Sequence, residues 1–288
     1  MKKLIFTFML LFLLTGCSEA DIRSLTEKVP FLSDKDSNQT EETTNHEETS
    51  GDSNPLSDQT KESGQNQDTE KQNEHTLKSV YFNEIKQVSG KNIIQNPANE
   101  LALVNKLFGL PEEYIPEDLV RADVAFSFGD QKVQKSLLRK EAADALEQMF
   151  AAANKDGMEL FAVSGYRSFS RQNQVFIAEV KRSGEEKAVQ AVAFPGNSEH
   201  QTGLAMDISS RSAGFGLTEQ FGTTAEGMWL AENAHRFGYI LRYPKGKEEV
   251  TGYKYEPWHF RYVGKEAATD IYENNWTLEE YFNIVEEV

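Results

Sequence analysis

Cysteine is almost absent. The 288 residues contain one, Cys17, so neither an internal disulfide framework nor a cysteine-based zinc cluster can be built. Any bound metal must be held by histidine and carboxylate. Positive charge is also scarce, with 30 Lys and Arg against 46 Asp and Glu for a net charge of −16. A phosphate backbone is gripped by basic surface and an anionic membrane attracts it, so nucleic-acid binding and electrostatic membrane docking are both disfavoured. No apolar run approaches the roughly 20 residues of a comfortable membrane-spanning helix. A Gly-rich phosphate loop and the even βαβ rhythm that would accompany it are missing as well.

What is present divides into three parts. Lys2 and Lys3 precede the apolar run LIFTFMLLFLL, and Leu14-Thr15-Gly16-Cys17 follows it. The charged flank and the short apolar run fit a secretory signal. The tetrapeptide LTGC resembles the lipobox of bacterial lipoproteins, in which the cysteine is diacylated and becomes the new N-terminus. That resemblance implies a signal peptide over 1–17, Cys17 as the site of lipidation (palmitate), and a cell-membrane anchor facing the extracytoplasmic, cell-wall side. More than one acyl chain makes such anchoring stable.

From Ser18 to Lys78 there are 15 acidic and 6 basic residues among Ser, Thr, Asn and Gln, with few large apolar side chains. Such a segment cannot bury enough apolar surface to offset the entropy of ordering it. Residues 18–79 therefore read as a disordered acidic linker, a tether with a typical reach on the order of 40–45 Å. Globular composition begins near Val80, so 80–288 is expected to be one folded domain.

Within it, apolar spacing gives helical character to 99–107, and LPEEYIPEDL reads as an extended surface connection. A strong Ala-rich helix is expected over 137–155, stopped by Gly157. A strand over 160–163 follows, then helices from about Ser170, a plausible N-cap, to Val180 and from Glu185 toward Ala193. A strand over 204–208, a helix over 224–237 closed by Gly238, a strand over 239–242, and a strand pair or kinked strand over 253–262 come next. Two short helices finish the chain. Helices alternating with short strands indicate an α+β fold with a small antiparallel sheet.

Of five histidines, three lie in this region: His200, His235 and His259. A loop-borne His200 and Asp207 on the next strand can meet because Gly203 permits a tight turn between them. His259 would complete a His/Asp/His set that leaves a fourth position for water, as in a catalytic zinc site. Glu256, three residues before His259, could reach that water as general base. Each residue also has an ordinary structural reading, and spacing alone leaves metal binding open. His235, on an amphipathic helix, reads as structural, and Trp229, Phe237 and Tyr239 as core.

Three strings change the balance. SGYRS, SEHQTGLAMD and EPWH, in this order, resemble the signature blocks of the VanY-type D-alanyl-D-alanine carboxypeptidases of the M15 peptidase family (M15B-like). LVNK and LPEEYIPEDL resemble the family's usual approach to the domain, and the similarity runs over roughly 98–272. The resemblance implies the family's compact zinc D,D-peptidase fold (hedgehog/DD-peptidase-like), a small central antiparallel sheet flanked by helices. It also implies one Zn²⁺ held by His200, Asp207 and His259, with Glu256 as catalytic base. Arg167 matches the family arginine that binds substrate near the scissile bond. Ser198 and Gln172 match polar positions by the substrate pocket. Trp258 is expected to wall the pocket, while Tyr166 either lines the cleft or packs.

The leading expectation is a membrane-tethered zinc carboxypeptidase that removes the terminal D-alanine from peptidoglycan stem peptides, a D,D-cleavage. L,D-carboxypeptidase or endopeptidase action on the same stems is the alternative, since specificity lies in loops outside the blocks. A non-catalytic wall-binding lipoprotein is the competing class, and an intact Glu256 argues against it. No protein partner is implied.

Overall fold

The computed structural model describes residues 75–288. The expected signal peptide, Cys17 and nearly all of the linker lie outside the described residues. In chain order the first strands are β1 (Thr76–Leu77), β2 (Ile85–Val88), β3 (Lys91–Ile94), β4 (Phe108–Gly109), β5 (Leu119–Arg121) and β6 (Leu137–Arg139). Then come α1 (Lys140–Lys155), β7 (Leu160–Ser164), α2 (Phe169–Ser183), α3 (Glu185–Ala191), β8 (Ala205–Ser210) and α4 (Ala225–Asn233). The last elements are β9 (Tyr239–Leu241), α5 (Glu248–Thr251), β10 (His259–Tyr262), α6 (Lys265–Glu273), α7 (Leu278–Ile284) and β11 (Glu286–Glu287). The fold is α+β, as expected.

The central sheet has the order β7-β8-β10-β9 and is antiparallel throughout. Side chains alternate across a strand, and here the alternation divides core from chemistry. Met206 and Ile208 of β8 and Phe260 and Tyr262 of β10 join the main core with Leu138, Leu146, Met149 and Leu160. Asp207, His259 and Arg261 occupy the intervening positions. Helix α1 covers the core face, burying Ala142, Ala143, Ala145, Leu146, Met149 and Ala153. Burying one side chain such as Leu146 contributes about 1.5–3 kcal/mol.

Several elements differ from expectation. Leu137–Arg139 pairs with Leu119–Arg121 as strand rather than starting the helix. Tertiary partners take its backbone groups: Tyr166 N donates to Leu137 O at 2.7 Å and Arg139 N to Gly203 O at 2.8 Å. Residues 99–107 form no helix, because the side chains of Asn99 and Asn105 accept from Leu101 N, Leu107 N and Phe108 N. Such local side-chain acceptors compete with the helical ladder. Ser168, not Ser170, caps α2, accepting from Arg171 N. The 224–237 segment is α-helical only to Asn233 and then tightens to a 3₁₀ turn before Gly238. Only His259–Tyr262 of the 253–262 stretch is strand.

The β2–β3 hairpin was not foreseen; Ser89 and Gly90, with φ of 52° and 77°, make its tight turn. Strand β1 lies ahead of the expected domain boundary at 80. Thr76 and Leu77 pair in parallel with Glu286 and Glu287, and Leu77 joins a second apolar cluster with Ile240, Ile271, Leu278 and Tyr281.

Candidate active site

The site is assembled from a turn and two strands. In the β8–β10 ladder Asp207 stands directly opposite His259, so sheet register alone brings carboxylate and imidazole together. The third member arrives on the 3₁₀ turn Glu199–Thr202, which ends at Gly203 with φ of 69° before the chain enters β8. His200, Asp207 and His259 are all buried, and one ligand atom from each lies within 4.8 Å of the others.

The contacts indicate which atoms face the common point. Asp207 Oδ1 is 3.1 Å from His259 Nδ1, and Asp207 Oδ2 is 3.4 Å from His200 Nε2. His200 Nδ1 lies 2.8 Å from the carbonyl of Gly165. As the donor to that carbonyl, Nδ1 carries the proton, which leaves the Nε2 lone pair free. Burial would raise Asp207, but the two imidazoles beside it hold its carboxyl well below the usual carboxylate range. Burial also lowers His200. A permanently ionised carboxylate and a neutral imidazole are the protonation states that a divalent cation needs. Burial lowers His259, but Asp207 and Glu199 beside it push it up to about 9, so a cation would have to displace a proton there. With that exchange the set of two imidazoles and one carboxylate fits such an ion.

Glu256 approaches the same point. Its backbone accepts from His259 N at 3.0 Å in a tight turn, and its Oε2 is 3.9 Å from His259 Nδ1. Burial pushes its carboxyl up to about 7. Arg167 follows β7, where a bulge between Ala162 and Ser164 re-aims the strand end. Its guanidinium donates to Gln172 Oε1 at 2.9 Å and to Ser164 Oγ at 3.2 Å. Burial lowers Arg167, opposed by the nearby charges of Asp207 and Glu256.

The remaining expected residues separate. Gln172 is buried with both ends engaged, since its Nε2 donates to Ala193 O at 2.7 Å. It is placed to hold Arg167 rather than to face open space. Ser198 is buried at the start of the His200 turn. Tyr166 is buried and its hydroxyl has no hydrogen-bond partner. Trp258 packs against the main core, half-buried. His235 stacks on Tyr272 at 3.7 Å between ring centroids, a packing role as expected.

Three charged residues escaped the sequence reading: Glu199, Arg242 and Arg261, all fully buried beneath His259. Glu199 adjoins His200 inside a recognised block, and Arg261 shares the strand face of His259, which were the available signals. Burial would raise Glu199, yet Arg242, Arg261 and His259 hold it far below the ordinary range.

Comparison with known proteins agrees with this geometry. Residues 135–265 match the model of the family described as VanY: D-alanyl-D-alanine carboxypeptidase. YodJ of Bacillus subtilis (strain 168), provisionally designated a carboxypeptidase, is 61% identical over 215 residues, 75% of this chain and 78% of its own. The chain belongs to the VanY carboxypeptidase family. The D-alanyl-D-alanine carboxypeptidase of Enterococcus faecalis is another member, 44% identical over 147 residues, which span 48% of this chain and 53% of that protein.

Among solved structures, the LdcB LD-carboxypeptidase is 61% identical with a TM-score of 0.72, covering 74% of this chain and 100% of its own. The VanY D,D-pentapeptidase of a VanB-type resistance cassette, solved as a mutant with Zn(II), is 38% identical with a TM-score of 0.52 over 64% of this chain and 99% of its own. Family membership and the buried His200/Asp207/His259 triad make this chain a zinc-dependent hydrolase of the carboxypeptidase type.

Proposed function

We propose that the protein is an L,D-carboxypeptidase that releases the terminal D-alanine of peptidoglycan tetrapeptide stems. The observation carrying this reading is the 61% identity to the LdcB LD-carboxypeptidase over the whole of that chain, against 38% and a lower TM-score for the D,D-pentapeptidase. It replaces the D,D-cleavage expected from the signature blocks, which both kinds of enzyme share. D,D-cleavage of pentapeptide stems is the second reading, favoured by the family description and the enterococcal relatives.

His200 Nε2, an oxygen of Asp207 and His259 Nδ1 would hold the zinc. When bound, the ion polarises the scissile carbonyl and lowers the pKa of a water toward neutrality. Glu256 takes the proton from the attacking water and passes it to the leaving amine. Its raised pKa, close to operating pH, suits both halves of that transfer. Arg167, held by Gln172 and Ser164, presents its remaining N–H groups to the substrate's terminal carboxylate. The resemblance also assigns Tyr166, Ser198 and Trp258 to the substrate side; the unpartnered hydroxyl of Tyr166, the residue before Arg167, is the feature that supports this for Tyr166.

The test of specificity is incubation of the zinc-loaded protein with synthetic tetra- and pentapeptide stems and mass analysis of the fragments. Loss of one D-alanine from the tetrapeptide, at a kcat/KM well above that for the pentapeptide, supports L,D-cleavage. Preference for the pentapeptide would transfer the assignment to D,D-cleavage, and cuts inside the stem to an endopeptidase. We also propose that Cys17 carries the lipid anchor and that 18–79 tethers the enzyme outside the membrane. The support is the apolar run and LTGC. Labelled palmitate should enter the wild-type protein in bacterial cells and not Cys17→Ser; equal labelling would refute the anchor.

A further inference from the structure

The carboxylate of Glu199 lies below the metal triad, with no exposed side-chain surface. A buried charge of this kind is costly unless it is paired and fully hydrogen-bonded. Here both oxygens are committed. Oε1 accepts from Arg242 Nε at 2.7 Å and from Arg261 Nη1 at 2.9 Å. Oε2 lies 3.3 Å from His259 Nε2.

The two arginines are themselves anchored. Arg242 grips Glu279 of α7 with Nη1 at 2.8 Å and Nη2 at 2.7 Å. Arg261 donates to the carbonyls of Glu100, Ala102 and Tyr262. Two cations thus balance two carboxylates, and Glu199 is left no freedom to move toward substrate or metal.

This arrangement acts on His259. Its Nδ1 faces Asp207 and Glu256, the side on which a metal would sit. An ionised carboxylate can only accept, so Glu199 keeps a proton on Nε2 and leaves Nδ1 as the nitrogen able to give its lone pair to a metal. The opposite tautomer would set an Nε2 lone pair against the carboxylate and leave His259 no donor atom for the ion. His200 is oriented in the same sense by a neutral carbonyl, that of Gly165. The two histidines therefore have different supports, and only that of His259 is charged.

We propose that Glu199, clamped by Arg242 and Arg261, is the positioning residue that fixes the tautomer and ring orientation of His259 for metal binding. The inference deepens the zinc reading above and rests on it. It is independent of which stem peptide is cut.

The test is zinc affinity of the full chain, measured by competition with a chromophoric chelator, for wild type, Glu199→Gln and Glu279→Gln. Support of this kind for a metal-bound histidine is worth roughly 10–100-fold in affinity. Glu199→Gln should weaken zinc binding by that factor. Glu279→Gln, which touches Arg242 but not His259, should lose thermal stability while holding zinc within about threefold of wild type, a margin well inside the 10–100-fold expected for a metal-supporting contact. If both substitutions weaken zinc equally, or Glu199→Gln binds as wild type does, the positioning role is overturned.

A second measurement does not depend on a variant folding. In zinc-loaded, ¹⁵N-histidine-labelled wild type, the proton of His259 should be found on Nε2. A proton on Nδ1 overturns the inference. Absence of zinc binding by the wild type overturns the metal reading itself, and this inference with it, so the two failures are told apart.

Discussion

Glu256 is held in a setting that favours its proton transfer and disfavours its charge, and removing that charge should stabilise the metal-free protein. Burial raises its carboxyl from an ordinary 4.5 to about 7. The unfolded chain keeps the ordinary value, so between these two pH values the folded state binds the extra proton, and stability falls as pH rises through that window. Above pH 7 the full cost is present. At about 1.4 kcal/mol per pH unit, it comes to about 3 kcal/mol. Glu256→Gln replaces the carboxylate with a neutral group of the same shape. In chelator at pH 8 the variant should therefore be more stable than wild type by about 2–3 kcal/mol, and at pH 5 the gap should shrink below about 1 kcal/mol. Urea unfolding followed by tryptophan fluorescence reads both values. With zinc bound the wild-type carboxylate gains a neighbouring cation and the difference should contract. Equal stabilities at pH 8 in chelator, or a less stable variant there, would refute the argument that burial strains this base.

Two further substitutions probe the supports of the site. Gly165→Ala should place a Cβ 2.5 Å from Leu137 O and 2.9 Å from Met206 Cε, displacing the carbonyl that holds His200. Loss of about 1–3 kcal/mol in unfolding free energy, with weaker zinc binding by chelator competition, is the expected pair of effects. Arg167→Lys keeps the charge but loses the planar fork shared by Gln172 and Ser164. KM for the stem peptide should rise by roughly tenfold or more with unchanged zinc content, as read by steady-state kinetics and metal analysis.

Spacing alone left the metal triad open, and the resemblance carried by SEHQTGLAMD and EPWH singled out His200, Asp207, His259 and Glu256; the structure brings these four together through local constraints. Gly203 sets the turn that delivers His200, and alternation in 205–210 and 259–262 puts Asp207 and His259 on the face opposite Met206 and Phe260. Local patterning of this kind also made the central sheet and α1 legible. What escaped depends on contacts between distant residues. Asn99 and Asn105 have helix-compatible apolar neighbours, yet their side chains turn the backbone away from a helix. Leu137–Arg139 would extend α1 by spacing, but its amides and carbonyls serve the Gly203 and Tyr166 loops. The Glu199 cluster joins residues 43 and 62 positions apart; its place beside His200 and the strand face that Arg261 shares with His259 were the signals, and neither says that two arginines meet on this one carboxylate. Gln172 was found as a polar site position, while its task of holding Arg167 emerged only from the fold.

The most direct measurement of the central claim sets wild type beside Glu256→Ala, both loaded with zinc and both given the tetrapeptide stem. Zinc content should be equal, with free D-alanine released by the wild type and none by the variant. Release by both proteins would contradict the assignment of Glu256 as base, and release by neither would contradict the L,D-carboxypeptidase itself.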